Sequence, residues 1–200
     1  MYAIVEDKKV IETFNHPKKL IRNDVRYSTK IYSLWSVDEK KAIGLYEVEY
    51  DDTKKKDEEW YINTNQTIAY KTTGDKVVAS YGNATAKAIN DRNAIDENGI
   101  ELDPVQVIKG LKTIKKEMID NKCASLLAPS DWRLIKAKET DTEMDSGWKT
   151  WRASVRTKCN SMQTQIDNAS DVDALSALFT YTEQEDGSVT RPLGEFPEKE

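Results

Sequence analysis

The sequence predicts an α+β fold in which a small β-rich N-terminal domain is followed by a C-terminal domain built as a helical hairpin or bundle. Two observations support this. Up to residue 82, short runs rich in valine, isoleucine and tyrosine alternate with turn residues, as strands do. Beyond residue 104, apolar residues recur at helical spacing. The predicted divisions are a β-rich domain at 1–82, a linker with a short helix at 83–103, a helical domain at 104–180 and a polar tail at 181–200.

The composition favours two small units over one deep core. Hydrophobic residues make up 38% of the 200 residues and charged residues 32%, a low apolar share and a high charged share for a globular chain. The 35 acidic and 30 basic side chains are mixed along the chain and give a net charge of -5. Because this distribution provides no positive field for a phosphate backbone, we expect no nucleic-acid partner.

We also expect no membrane segment, because the sequence contains no run of about 18 apolar residues. The N-terminus becomes charged too early for the apolar region of a signal peptide. The protein is therefore expected to be made and to fold in a cytosol.

The N-terminal domain begins with a predicted hairpin, in which YAIVE and VIETF are joined across Asp7-Lys8-Lys9. Ser36 and Glu39 form the pattern of a capping box, which predicts a short helix that ends at Gly44. Extended pieces are predicted at 25–27, 31–32, 45–50, 60–62, 67–70 and 76–81, and the charged run 51–59 is predicted as a solvated loop.

The C-terminal domain begins with two predicted helices. The first is short and covers 84–93. The second covers 105–127, with Asp103 as its cap and Pro104 at its first position. A weakly structured interval is expected after Pro129, which ends the second helix.

Ser146 is predicted to cap a further helix of roughly 20 residues. This helix packs on the preceding one through an apolar stripe, which consists of Trp148, Trp151, Val155, Cys159, Met162 and Ile166. Residues 170–173 are predicted to cap one more short helix. The polar tail from residue 181 is expected to be mobile unless a partner holds it.

The sequence provides little for catalysis or metal binding. His16, the single histidine, precedes Pro17 in a polar turn and is expected to lie at the surface. Cys123 and Cys159 lie on apolar rows of predicted helices, so both are expected to be buried, reduced thiols. An acidic cluster lacks the glycine and the terminal glutamate of a calcium loop. It consists of Glu139, Asp141, Glu143 and Asp145.

We therefore expect no cofactor, no metal and no enzymatic activity. The enzymatic alternative is a glycan-cleaving protein that uses two of the many carboxylates. A structure with two such groups about 5 to 10 Å apart in a cleft would favour that alternative.

Tryptophans and arginines supply the candidate contacts with a partner. Helical spacing assigns Trp148 and Trp151 to the apolar stripe rather than to a ligand platform. The arginines of that helix are expected to face solvent, and the tryptophan after the proline break is expected to anchor a turn. The predicted partner-binding residues are Trp60, Trp132, Arg152 and Arg156. Self-association through a coiled-coil seam is an alternative, and its residues would be Val155, Met162 and Ile166.

Two segments resemble proteins of tailed bacteriophages. One runs from MYAIVEDKKVIE through IYSLWSVDEKKAIGLYEVEYDDT and resembles the opening module of proteins encoded near tail-fibre and baseplate genes. The other is SLLAPSDWRLIKAKETDTEMDSGWKTWRASVRTKCNSM, which resembles tail-fibre-assembly and tail-assembly-chaperone-like domains. In those domains a leucine–serine–aspartate–tryptophan turn precedes a tryptophan–arginine helix. The matching positions are Leu126, Leu127, Ser130, Asp131, Trp132, Trp148, Trp151, Arg152 and Arg156.

The resemblance covers about half of the chain and implies a non-enzymatic, tail-associated protein. One version is a virion protein, an adaptor or hinge that connects fibres to the tail or baseplate. Its location would be the virion tail, after synthesis in the host bacterial cytoplasm. The other version is a cytosolic tail-fibre assembly chaperone that is absent from the mature virion.

The implied partners are other phage tail proteins of the fibre, baseplate or tail tube, and a homo-oligomer within the tail is a further arrangement. The chain departs from the chaperone pattern after the arginine helix. That helix is predicted to continue through 159–166, and another helix follows.

Overall fold

A computed structural model describes residues 1–199 and has an α+β architecture. A strand-rich N-terminal unit precedes a helical C-terminal unit, so the predicted fold class is confirmed. The two compact units meet in sequence between Thr85 and Ala86. The predicted end of the β-rich domain is residue 82.

The N-terminal unit contains the strands β1 (Tyr2–Glu6), β2 (Lys9–Phe14), β3 (Leu20–Arg22), β4 (Val25–Tyr27), β5 (Leu45–Asp51), β6 (Tyr61–Ile62), β7 (Thr67–Lys71) and β8 (Lys76–Ser80), and the helices α1 (Ile31–Leu34) and α2 (Val37–Ala42). Strand β9 (Thr85–Ala86) lies at the sequence boundary. The main sheet has the order β2-β1-β5-β8-β7. Its β1–β2 pairing is the predicted hairpin, and β5 and β8 run parallel.

The main sheet buries apolar residues on both faces, because successive side chains of a strand point to opposite sides. One face buries Ala3, Val5, Val48, Val77 and Ala79. The other face packs against β3 and α1, and its core consists of Ile4, Leu20, Ile31, Tyr32 and Leu45. The prediction of an extended segment at 31–32 is wrong, since a single helical turn carries both side chains into this core.

The predicted capping box is present at the start of α2. Ser36 Oγ accepts the Glu39 N–H at 3.3 Å, and the Glu39 carboxylate accepts the Ser36 N–H at 2.7 Å. The bonds that the Glu39 carboxylate accepts from the Ser36 N–H and the Ser36 hydroxyl hold the pKa of Glu39 below its usual range. Gly44 follows the helix with a φ of 75°, which lies in the left-handed region that glycine adopts without strain.

One carboxylate ties the turn between β7 and β8 to α2. Asp75 accepts hydrogen bonds from the Tyr70 hydroxyl at 2.7 Å and the Tyr46 hydroxyl at 2.9 Å, and its second oxygen lies 3.2 Å from Lys41 Nζ. The two phenols hold the pKa of Asp75 below its usual range. Burial and the neighbouring carboxylate raise the pKa of Tyr46. The arrangement stabilises one turn of the N-terminal unit.

The C-terminal unit contains β10 (Arg92–Asn93), β11 (Val107–Ile108), α3 (Leu111–Leu127), a 3-10 turn (Ala128–Ser130), α4 (Asp131–Glu139), α5 (Ser146–Asn168), α6 (Val172–Phe179), β12 (Thr182–Glu183) and β13 (Val189–Thr190). Helices α3 and α5 pack against each other. Asp145 caps α5 and Asp171 caps α6, each through a carboxylate that accepts a backbone N–H. The cap of α5 therefore lies one residue before the predicted Ser146.

The apolar stripe of α5 is confirmed in its C-terminal part, where Val155, Cys159, Met162 and Ile166 are buried. Trp148 and Trp151 are only half-buried. Since the stripe is covered within one chain, the alternative of a coiled-coil seam through Val155, Met162 and Ile166 is wrong.

Two helix predictions in the linker region are wrong. Residues 84–93 contain strands instead of a helix, and α3 begins at Leu111 rather than at 105. Strands β10 and β11 pair antiparallel and form the base of an arm that covers residues 91–108. Asp91 Oδ1 accepts the N–H of Gly110, the residue before α3, at 2.7 Å. The backbone bonds of the arm outweigh the local helix signal of Asp103-Pro104, because non-local pairing overrides weak propensities.

The predicted weakly structured interval after Pro129 is also wrong, because most of it forms α4. The tail likewise has structure within the described residues. Strands β12 and β13 pair, and Leu193 is fully buried. Leu193 N–H donates to the carbonyl of Leu178 on α6 at 3.1 Å, so the chain returns to the helical unit after the hairpin.

Candidate interaction site on the helical unit

A buried arginine joins the turn after α3 to helix α5. Arg152 on α5 is 5% exposed. Its Nη1 donates to the Leu127 carbonyl at 2.8 Å and to Ser130 Oγ, and its Nη2 donates to Asp131 Oδ1 at 2.6 Å. Ser130 Oγ also donates to the Leu127 carbonyl at 2.8 Å. The turn and the helix of the motif are therefore linked by one side chain, and we call this set of four residues the arginine cluster.

The arginine cluster holds the start of α4 next to α5 through the hydrogen bonds of Arg152. Leu127 ends α3, and the last carbonyls of a helix lack partners within that helix. A guanidinium supplies several donors in one plane and so satisfies a carbonyl, a hydroxyl and a carboxylate together. The prediction that Arg152 faces solvent is wrong, because helical spacing alone does not reveal acceptors on another helix.

A second arginine lies between two tryptophan rings. The guanidinium carbon of Arg133 lies 4.6 Å from the ring centroids of both Trp132 and Trp148. Trp148 meets Trp151 edge to face, with centroids 5.6 Å apart. Arg133 Nε is buried without a hydrogen-bond partner within residues 1–199. Stacking on the rings therefore stabilises this side chain and holds α4 beside the start of α5.

The outer side of α4 carries large apolar residues that nothing covers within residues 1–199. Trp132 is 53% exposed and Ile135 is 56% exposed, and their spacing of three places them on one face. Leu134 is also exposed. Lys136 and Lys138 are exposed, and neither forms an ion pair in the described part of the chain. We call these five residues the α4 surface.

Two concavities border the α4 surface. One has a volume of about 200 Å³ and is lined by Trp132, Arg133, Lys136, Ala137, Thr142, Glu143, Met144 and Asp145. The other has about 400 Å³ and is lined by Leu134, Ala137, Lys138, Asp141, Thr142, Glu143, Met144 and Lys149. An exposed apolar ridge beside such hollows is the arrangement that a partner's side chains fill at protein interfaces.

The C-terminal segment covers the tryptophans of α5 from the other side. Trp151 Nε1 donates to the Pro197 carbonyl at 3.0 Å, and Lys158 Nζ donates to the Leu193 carbonyl at 2.9 Å. Lys199 Nζ lies 5.4 Å from the centroid of the Trp148 ring. These contacts contribute to the partial burial of both tryptophans of α5.

A larger concavity of about 710 Å³ lies in the N-terminal unit. Charged residues line much of it, and some of these already have partners. Lys76 Nζ lies 2.7 Å from Glu49, and Asp51 accepts hydrogen bonds from Thr53 that hold the pKa of Asp51 below its usual range. Lys76 therefore belongs to a surface ion pair, and Asp51 to the hydrogen bonds of a turn.

The predicted partner-binding residues have different surroundings. Trp60 is 4% exposed and belongs to the buried residues of the N-terminal unit, so its ring is not presented to a partner. Arg152 is buried in the arginine cluster. Trp132 and Arg156 are exposed. Sequence reasoning missed Ile135 as a contact, although its spacing from Trp132 would indicate an exposed apolar face if the segment were taken as helical.

Cys123 and Cys159 are buried, as predicted, and both are free cysteines. Burial, together with the adjacent Cys123 and Asp120, raises the pKa of Cys159 to about 12. His16 is exposed. Within residues 1–199, no three histidine, cysteine, aspartate or glutamate side chains gather as a metal site. No helix in the same range has both the length and the apolar character needed to cross a bilayer.

Comparison of the chain with protein-family models, with curated proteins and with solved structures finds no match.

Proposed function

We propose that this protein is a non-enzymatic component of a bacteriophage tail, an adaptor or hinge that connects fibres to the tail or baseplate. Its partners would be other tail proteins. The proposal starts from the resemblance of two sequence segments to phage proteins, and one structural observation supports it.

That observation is the arginine cluster. Leu127, Ser130, Asp131 and Arg152 are four of the positions that carry the resemblance, and they lie in two segments that are 21 residues or more apart. All four belong to one hydrogen-bonded set. The turn and the helix that carry the resemblance therefore form one structural unit in this chain. The residue after the cluster is Trp132, which begins the α4 surface.

An adaptor needs separate surfaces for separate partners, and the chain has two compact units with their own buried residues. The competing function is a cytosolic tail-fibre assembly chaperone. The C-terminal motif itself favours that function, because the domains it resembles include assembly chaperones. Both functions use the α4 surface as a protein contact.

Mass spectrometry of purified particles separates the two functions. The sample is virions of a phage that encodes this chain, compared with particles from a deletion of its gene. The adaptor predicts that the protein is present in virions and that its deletion yields tails without attached fibres. A protein missing from virions, with fibres that fail to form after deletion, would establish the chaperone. Absence from virions together with normal fibres would reject both.

A matched pair of variants tests the surface. Trp132→Ser with Ile135→Ser removes the apolar ridge of α4, and Ile114→Ser with Met118→Ser removes comparably exposed side chains from α3. We expect the first pair to lower the amount of protein in virions at least about tenfold, as loss of central interface residues does. The second pair should leave it unchanged. Circular dichroism of each purified variant confirms that both fold.

A further inference from the structure

The arm near the start of the C-terminal unit is ordered by its own hydrogen bonds. We call residues 91–108 the acidic arm. Strands β10 and β11 form its base, and the Ala94 N–H donates to the Gln106 carbonyl at 2.7 Å. At its tip, Asp96 Oδ1 accepts the N–H groups of Asn98 and Ile100 at 2.8 and 2.9 Å. The arm therefore has a defined shape on which a partner can dock.

The acidic arm exposes an unusual number of aliphatic side chains for its length. The exposed residues are Ile95, Ile100, Val105, Val107 and Ile108. Val107 pairs with Asn93 at the base of the arm, and Ile95 forms an isolated bridge with Glu101 nearer the tip. The exposed aliphatic side chains therefore extend along the arm from its base towards its tip. Clustered exposed apolar residues on an ordered element mark an interaction surface.

The acidic arm carries an excess of negative charge. Its 18 residues include five carboxylates and one arginine. Two of the carboxylates, Glu97 and Asp103, are exposed and form no ion pair within residues 1–199. A partner for this arm would therefore combine apolar side chains with unpaired positive charge.

The α4 surface has that combination. Trp132 and Ile135 provide the apolar ridge, and Lys136 and Lys138 provide unpaired ammonium groups. Both surfaces are exposed in the same chain, so neither covers the other within one copy. We propose that the acidic arm of one copy docks on the α4 surface of a second copy of this chain.

Two arrangements follow from such a contact. If each copy gives its arm to the other, two contacts close a dimer. If the contacts run head to tail, they build a ring or a filament. The inference deepens the proposed function by naming the occupant of the α4 surface, and it leaves the N-terminal unit for another tail protein. Its test uses only the purified chain, so its failure is distinguishable from absence of the protein from virions.

Charge reversal on each side gives a reciprocal test by sedimentation velocity. The first variant carries Lys136→Glu and Lys138→Glu, and the second carries Glu97→Lys and Asp103→Lys. Wild-type protein should associate at concentrations up to about 100 µM, where contacts of micromolar Kd are filled. Each variant alone presents like charges on arm and helix, so its Kd should rise at least about tenfold. An equimolar mixture of the two variants restores opposite charges at both contacts and should associate again.

An apolar substitution provides the matched control. Ile135→Ser should weaken wild-type association, whereas Ile114→Ser on α3 should not, because both side chains are about half exposed but only Ile135 belongs to the α4 surface. The inference is overturned if the wild type stays monomeric throughout this range. It is equally overturned if association survives both charge reversals, or if the mixture of variants stays monomeric.

Discussion

Replacing Arg152 with methionine tests the arginine cluster. Methionine retains much of the buried volume but donates no hydrogen bond. The change removes charge-assisted bonds to the Leu127 carbonyl and to Ser130 Oγ, and it leaves Asp131 unpaired. Bonds to a charged group contribute about 1.5–3 kcal/mol each when both partners are buried.

The net cost is smaller than the sum of these bonds, for two reasons. Asp131 is 54% exposed, so water replaces much of its ion pair. Removing a buried guanidinium also returns part of its desolvation cost. We therefore expect the free energy of unfolding of the helical unit to fall by about 2–3 kcal/mol. For a unit of this size, the melting temperature should fall by about 10 °C.

Urea denaturation followed by circular dichroism at 222 nm measures this change, because α3, α4, α5 and α6 all belong to the C-terminal unit. The control is Arg156→Met, which removes an exposed arginine one turn later on α5. That variant should stay within about 0.5 kcal/mol of wild type. If the two variants lose equal stability, Arg152 is not the link between turn and helix that its contacts indicate.

Three further predictions concern local structure. Gly44→Ala should destabilise the N-terminal unit by at least about 2 kcal/mol, because the new Cβ would lie 2.5 Å from the Val5 carbonyl oxygen at a φ of 75°; an unchanged urea midpoint would contradict this. Ser36→Ala should lower the free energy of unfolding by about 1 kcal/mol, because it removes the acceptor for the Glu39 N–H. The control is Ser36→Asp, which supplies another acceptor and should restore most of that stability. Cys159, whose pKa is raised to about 12, stays protonated at pH 8. In the native protein its thiol should react with an aromatic disulfide reagent at least about 100-fold more slowly than in the protein unfolded in urea. Equal rates in the two states would show that the thiol is not buried.

Local signals in the sequence were sufficient for several elements. The capping box at Ser36 and Glu39 depends on atoms three residues apart, so its residues predict it directly. The buried stripe from Val155 to Ile166 follows from helical periodicity within one segment. The β1–β2 hairpin likewise joins strands that are adjacent in sequence. In each case the partners lie on one element or on neighbouring ones.

Other local signals were misleading because more distant contacts outweighed them. Asp103-Pro104 has the pattern of a helix start, yet it forms a bend within the arm that β10 and β11 close, and α3 begins at Leu111. The segment after Pro129 is polar and lacks a clear apolar stripe, but the arginine cluster and the stacking of Arg133 on two tryptophans hold it beside α5. Neither contact is visible in a window of a few residues.

The sequence by itself determined the α+β class, the order of the strand-rich and helical units and the apolar stripe of α5, because these depend on composition and periodicity along one segment. Only the tertiary structure decided the role of Arg152, which looks like a surface residue on a helical wheel but meets acceptors 21 to 25 residues earlier. The same holds for the exposed α4 surface and for the buried Leu193. Burial depends on which elements pack together, and that is a property of the folded chain.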